Sequence, residues 1–280
     1  METLFYKGVT GRGIKVGIID TKFNFNDLEF QDQNGNSRVV FSEDFYPQEY
    51  PPESEVYHGR AVASLLAGSQ AGIAPEAELY LFNSRDDWEQ SERLDILKFI
   101  LENNIKLDVL CMASYFKDSQ ESRELIQELK NRGITYIDSP VFWNNFSYGR
   151  IQDKEVELDN LLQEKYDNRQ LLDGKIKEWM DELPSKIIIP CAGRTHSQIG
   201  GGYQYNGVGC ASWSIPQVAG LYCLAKQIDK DISYDDFIKS IKETASQQKI
   251  GFSLNLLDAT KLIEQNKIER NKKERSDNVR

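Results

Sequence analysis

Short apolar runs and amphipathic helical stretches take turns along this chain, and that alternation limits its folds more than any other feature. Residues 14–19 (Ile-Lys-Val-Gly-Ile-Ile) follow the turn residues Gly11, Arg12 and Gly13 and read as a buried parallel strand. Residues 79–82, 108–113, 134–137 and 186–191 read as four more core strands. Helical patterns lie among them. Residues 58–68 are rich in small side chains and stop at Gly68, and residues 121–132 stop at Gly133. Residues 93–104 repeat Leu94, Ile96, Leu97, Ile100 and Leu101 at helical spacing. Such a pattern makes an α/β domain with a mostly parallel central sheet and helices on both faces. The 280 residues suffice for one such domain, or one plus a small appendage.

The remaining segments decorate that frame. Residues 24–57 are polar, aromatic and proline-containing, and read as a surface excursion with one short strand at 38–41. Residues 149–186 are strongly charged and read as a surface insertion, helical near 156–166 and 171–183. Stretches 233–245 and 254–265 read as closing amphipathic helices, and 269–280 as a frayed tail. The expected division is a domain over 1–267 and a charged tail over 268–280.

Net charge and cysteine usage narrow the function classes. A net charge of −10 argues against nucleic-acid binding as the main task. No apolar run is long enough to cross a bilayer, so no membrane partner is implied. The first seven residues lack the basic-then-apolar layout of a signal peptide. Cys111, Cys191, Cys210 and Cys223 sit in apolar contexts at unpatterned spacings, which favours reduced core thiols over a disulfide framework or a zinc site. A cytoplasmic protein without metal or cofactor is the expectation.

The first chemical signal lies in residues 209–227. From Ile215 this stretch is apolar on most sides, and Ala219, Gly220 and Ala225 allow a neighbour to approach closely. Pro216 is tolerated only in a first turn, which sets the helix start near 211–213 and puts Ser212 at the mouth of the helix dipole. There Ser212 is either an N-cap or a nucleophile whose own N–H helps hold an oxyanion. Asp20 ends the first strand, where ligands gather in open α/β sheets; alternatively it caps the turn through Thr21 and Lys22. His58 is one of only two histidines and starts a helix beside Gly59. It is either a satisfied core histidine or a general base.

Asp20, His58 and Ser212 thus stand at element boundaries and comprise the orienting acid, base and nucleophile of a serine hydrolase. In that order they resemble the subtilisin-like serine peptidases, the subtilase or S8 family. Residues 17–21 (Gly-Ile-Ile-Asp-Thr) are similar to the family's aspartate motif, with Lys22 where glycine is usual. Residues 58–63 (His-Gly-Arg-Ala-Val-Ala), trailed by Gly72-Ile73-Ala74-Pro75, resemble its histidine motif, with Arg60 where threonine is usual. Residues 212–220 (Ser-Trp-Ser-Ile-Pro-Gln-Val-Ala-Gly) match its serine motif, behind Cys210-Ala211 in place of Gly-Thr. The three motifs anchor the resemblance over residues 8–227.

The resemblance implies a subtilisin-like three-layer sandwich and an endopeptidase with the triad Asp20, His58 and Ser212. It implies an oxyanion hole from the Ser212 N–H and an asparagine side chain. The family's Ala-Gly-Asn is missing, so Asn144 or Asn145 is the expected donor. The substrate-edge strand corresponds to Met112, Ala113, Ser114 and Tyr115, whose backbone would pair with an extended peptide. Tyr115 stands for a glycine there and would crowd the specificity pocket. A peptide or protein is the implied partner. Asp27, Glu29 and Asp32 read as a solvated loop rather than a calcium site. The altered motif surroundings leave one alternative, a pseudopeptidase that binds a partner without cutting it.

Overall fold

In a computed structural model the described residues are 8–45, 57–84, 90–149, 187–191, 194–206, 211–249, 253–256 and 259–277. Five strands form an all-parallel sheet: β1 (Lys15–Thr21), β2 (Val39–Asp44), β3 (Glu78–Ser84), β4 (Val109–Cys111) and β5 (Thr135–Ile137). Their order across the sheet is β2-β3-β1-β4-β5, so β1 is central and Asp20 lies near its carboxyl end.

Side chains alternate between the two faces with the strand period of two. Val16, Ile18, Leu79, Leu81, Val109 and Cys111 join the core beneath α1 (Tyr57–Ala67) and α5 (Ala211–Ile228). Ile19, Phe82, Leu110, Met112 and Tyr136 face the other way, toward α2 (Gln90–Glu102) and α3 (Gln120–Asn131). Burial on both faces is why these strands read as continuous apolar runs. The expected doubly covered α/β architecture is the one observed.

Past β5 the chain makes a short helix, α4 (Ser139–Asn145), and enters a second sheet ordered β10-β11-β7-β6. Its strands are β6 (Phe146–Gly149), β7 (Ile187–Pro190), β10 (Ser246–Lys249) and β11 (Ser253–Leu256). The run at 186–191 therefore does form a strand, with Ile187 and Ile189 in the main core, but it pairs in this smaller sheet. A hairpin of β8 (Arg194–Ser197) and β9 (Tyr203–Asn206) was not foreseen. Its turn contains Gly200, Gly201 and Gly202 at φ of +81°, +94° and +78°, a region glycine enters without steric cost.

Three expectations are corrected. Pro216 is the sixth residue of α5, beyond the first turn. Its missing N–H removes the bond the Ser212 carbonyl would have accepted, a loss the nearly complete burial of this helix outweighs. Residues 254–265 are not one helix, because Leu254 belongs to β11 and α7 (Ala259–Asp277) begins only later. The end expected to fray is helical through Asp277. Leu262 and Ile263 bury its first turns, Arg270 donates to the Ile228 carbonyl, and Arg270 pairs with Glu274 one turn on. α6 (Tyr234–Thr244), capped by Ser233, matches the first closing helix. The helices expected at 156–166 and 171–183, and Cys210, lie outside the described residues.

Candidate active site

Asp20 is held in place by its neighbour. The Thr21 N–H donates to Asp20 Oδ1 at 2.7 Å, and the Thr21 hydroxyl donates to the same oxygen at 3.3 Å. That hydroxyl also accepts from the Gly59 N–H at 2.9 Å, which ties the start of α1 to the end of β1. Contact there is so close that a Cβ on Gly59 would stand 2.0 Å from the Thr21 carbonyl oxygen. Only glycine fits. One residue earlier, His58 Nδ1 meets Asp20 Oδ1 at 2.8 Å. The Asp20 side chain is 8% exposed and the His58 side chain 31%, so a dry carboxylate holds a ring that still reaches solvent. A proton on Nδ1 donates to that carboxylate and leaves Nε2 as the basic nitrogen.

Ser212 is the second residue of α5 and half-buried, among the first four N–H groups that have no helical acceptor. The next residue, Trp213, is buried and packs its indole on His58, with ring centroids 5.6 Å apart and planes 31° apart. The serine segment and the Asp20–His58 pair thereby come together at the carboxyl edge of the sheet. α1 and α5 also pack directly at Gly220, whose Cβ position lies 3.1 Å from the Leu66 carbonyl oxygen of α1 and 2.7 Å from the Ile73 side chain just beyond it.

Two motif departures have structural partners. Lys22 pairs with Asp44 of β2 at 2.5 Å. Arg60 is buried, bonds the Asp27 carboxylate and the Asn24 carbonyl, and lies 5.8 Å from the Phe23 ring. It pins the chain just after β1.

Glu29 is not a solvated loop residue, as the sequence suggested, but is 3% exposed. Its carboxylate accepts from the Ala71 and Gln70 N–H groups and from the Tyr203 hydroxyl at 2.6 Å. Burial raises its pKa, against the lowering effect of those bonds. Asp32 accepts from Asn34 and Asn36 within its own loop, and those bonds lower its pKa.

The expected substrate edge is divided. Met112 is 1% exposed and belongs to the core under α2 and α3, and Ala113 is also buried. Ser114 accepts at its hydroxyl from Arg93 at 2.8 Å and at its carbonyl from the Ser139 N–H at 2.8 Å. Tyr115, 43% exposed, is the side chain of the four that reaches furthest into solvent.

Asn144 and Asn145 occupy the last turn of α4, which packs against α5; Asn144 is exposed and Asn145 half-buried. The segment is a helix rather than a loop because Asp138 caps it, accepting from the Val141 N–H at 2.9 Å, and Pro140 suits its first turn. Burial pushes the Asp138 carboxyl up.

One participant escaped the sequence reading. His196 on β8 is fully buried and packs on Trp213 at 5.3 Å. Its only advance signal was being the second of two histidines.

The chain matches the subtilase family over residues 11–140. No match was found among curated protein sequences. In fold it is similar to a cold adapted subtilisin-like serine proteinase, at 18% identity and a TM-score of 0.61, over 89% of this chain and 90% of that one. It is similar also to the prenylagaramide maturation protease PagA, at 16% identity and a TM-score of 0.61, over 95% and 97% of the two chains. The chain thus has a subtilisin-like α/β fold, a five-stranded parallel sheet clasped by helices, and its aspartate and histidine motifs lie within the stretch that matches the subtilase family.

Proposed function

We propose that the chain is an endopeptidase working through Asp20, His58 and Ser212 and an acyl-enzyme intermediate. Ser212 Oγ attacks the scissile carbonyl carbon while His58 Nε2 takes the hydroxyl proton. Asp20 holds the Nδ1–H tautomer and stabilises the imidazolium that forms. The oxyanion takes hydrogen bonds from the Ser212 N–H and from Asn144 or Asn145, beside the positive end of α5. On collapse the C–N bond breaks, His58 returns the proton to the leaving amine, and water then releases the acyl group by the same route. The observation that carries this reading is the 2.8 Å contact between His58 Nδ1 and Asp20 Oδ1. Backbone pairing along residues 112–115 would hold the substrate strand, with Tyr115 narrowing the pocket for its side chain.

The test is labelling with a fluorophosphonate probe, which reacts only with an activated serine. Wild type should label and Ser212→Ala should not. A folded wild type that stays unlabelled supports the second reading, a pseudopeptidase that binds a peptide without cutting it. Two observations favour that reading: the segment expected to supply the oxyanion asparagine is a capped helix, and one of its two asparagines is exposed. We propose a reducing, cytoplasmic setting, in keeping with the free, buried thiols of Cys111 and Cys223.

A further inference from the structure

Both histidines of the chain pack on one indole. Trp213 lies 5.6 Å from His58 at 31° and 5.3 Å from His196 at 37°, and Tyr57 touches Trp213 edge-on and His196 at a tilt. The arrangement carries polar atoms that do not contribute to it as hydrogen-bonding groups. Trp213 Nε1 and His196 Nε2 are both buried without a hydrogen-bond partner. Leucine or methionine, though smaller than an indole, would leave no polar atom orphaned, and neither offers the π face that the rings present to His58.

His196 is suited to the part of a neutral wall. Its Nδ1–H donates to the Ser197 carbonyl at 3.0 Å, and burial pushes its pKa down. It sits on a strand bonded to α1 by the Ser197 N–H, which donates to Ser64 Oγ at 3.1 Å. The indole is thus held from α5, β8 and α1 together, while the candidate base meets its ring. A π face within about 6 Å of a cation stabilises it electrostatically. The imidazolium of His58 is the cation that forms during proton transfer.

We propose that Trp213 is a positioning residue for His58. Its indole keeps the imidazole aligned on Asp20 and stabilises the charged ring, and His196 holds the indole in register. This rests on the assignment of Ser212 and His58 as nucleophile and base. Among the described residues, Asp20 from β1, Tyr57 from α1 and His196 from β8 are titratable groups that meet the stack.

The experiment pairs two measurements on wild type, Trp213→Leu and Trp213→Phe. One is the fluorophosphonate labelling rate as a function of pH. The other is the His58 pKa by NMR, assigned through His196→Gln in a chain with two histidines. Trp213→Leu should label about tenfold more slowly or worse. It should also lower the His58 pKa by about half a unit, because the π face is lost while an apolar side chain remains. Trp213→Phe should retain most of both. If Trp213→Leu does not fold, Trp213→Met makes the same comparison. Unchanged rate and pKa in a folded aliphatic variant would overturn the proposal and leave Ser212 as nucleophile intact. An unlabelled wild type would instead sink the assignment on which the proposal rests.

Discussion

Gly59 approaches Thr21 so closely that any side chain at 59 would collide with the Thr21 carbonyl oxygen, 2.0 Å from the Cβ position. Because the obstacle is backbone, nothing flexible can yield. The contact sets α1 against the end of β1, and with it His58 against Asp20. Gly59→Ala should therefore push the two apart, cost about 1–3 kcal/mol of stability, and slow labelling about 100-fold. A thermal melt and a labelling time course on the same preparation would check both; an alanine variant as fast as wild type would mean the clasp does not align the pair.

Asp20→Asn keeps the shape of the side chain but lets its amide donate to His58 Nδ1, stabilising the wrong tautomer. Turnover of a peptide substrate should fall about 10⁴-fold, with the melting temperature little changed. A loss of less than tenfold would show that Asp20 is not the orienting acid.

Arg60 should be a stability residue despite standing two positions after His58. Replacing it by the threonine usual in related motifs strips the Asp27 carboxylate and the Asn24 carbonyl of a buried donor. The expected loss is about 1–3 kcal/mol in urea unfolding. The labelling rate of the folded fraction at room temperature should stay within a few-fold of wild type, and a collapse in rate without a stability change would contradict this.

Glu29 links stability to pH. Its folded pKa is raised above the unfolded value, so the native state holds the proton more tightly than the unfolded chain does. Its contribution is complete below the ordinary carboxylate range and is lost as pH rises through the raised value. Glu29→Gln, which cannot ionise, should abolish that part of the pH dependence. Unfolding midpoints of the two proteins between about pH 4 and 7 should diverge in favour of the variant as pH rises. Parallel curves would refute the assignment.

The legible features are those written in local chemistry. Apolar runs and helical spacings along the chain are short-range signals, and they sufficed for the alternating α/β architecture and the element boundaries where Asp20, His58 and Ser212 lie. Glycine after a histidine and proline within a helix likewise constrain only a few neighbouring bonds, and Pro216 was misjudged because burial of the whole helix outweighs one lost bond.

What remained hidden depends on which segments meet across the fold. Met112 and Tyr115 are three residues apart and both lie past the end of β4, yet one is buried in the core under α2 and the other faces water, which only the packing of the chain beyond the strand decides. Arg60 looked like an aberrant motif residue until the loop at 24–27 folded over it. The weak, polar strands β8 to β11 carry little periodicity, and the tail is helical because α5 accepts Arg270 at its end. His196 is 138 residues from His58, and no spacing joins them; a shared indole on a third segment does. Sequence alone determined the local elements and the order of the chemical groups. Tertiary structure decided their partners, because long-range packing, not local preference, chooses which side chains share an environment.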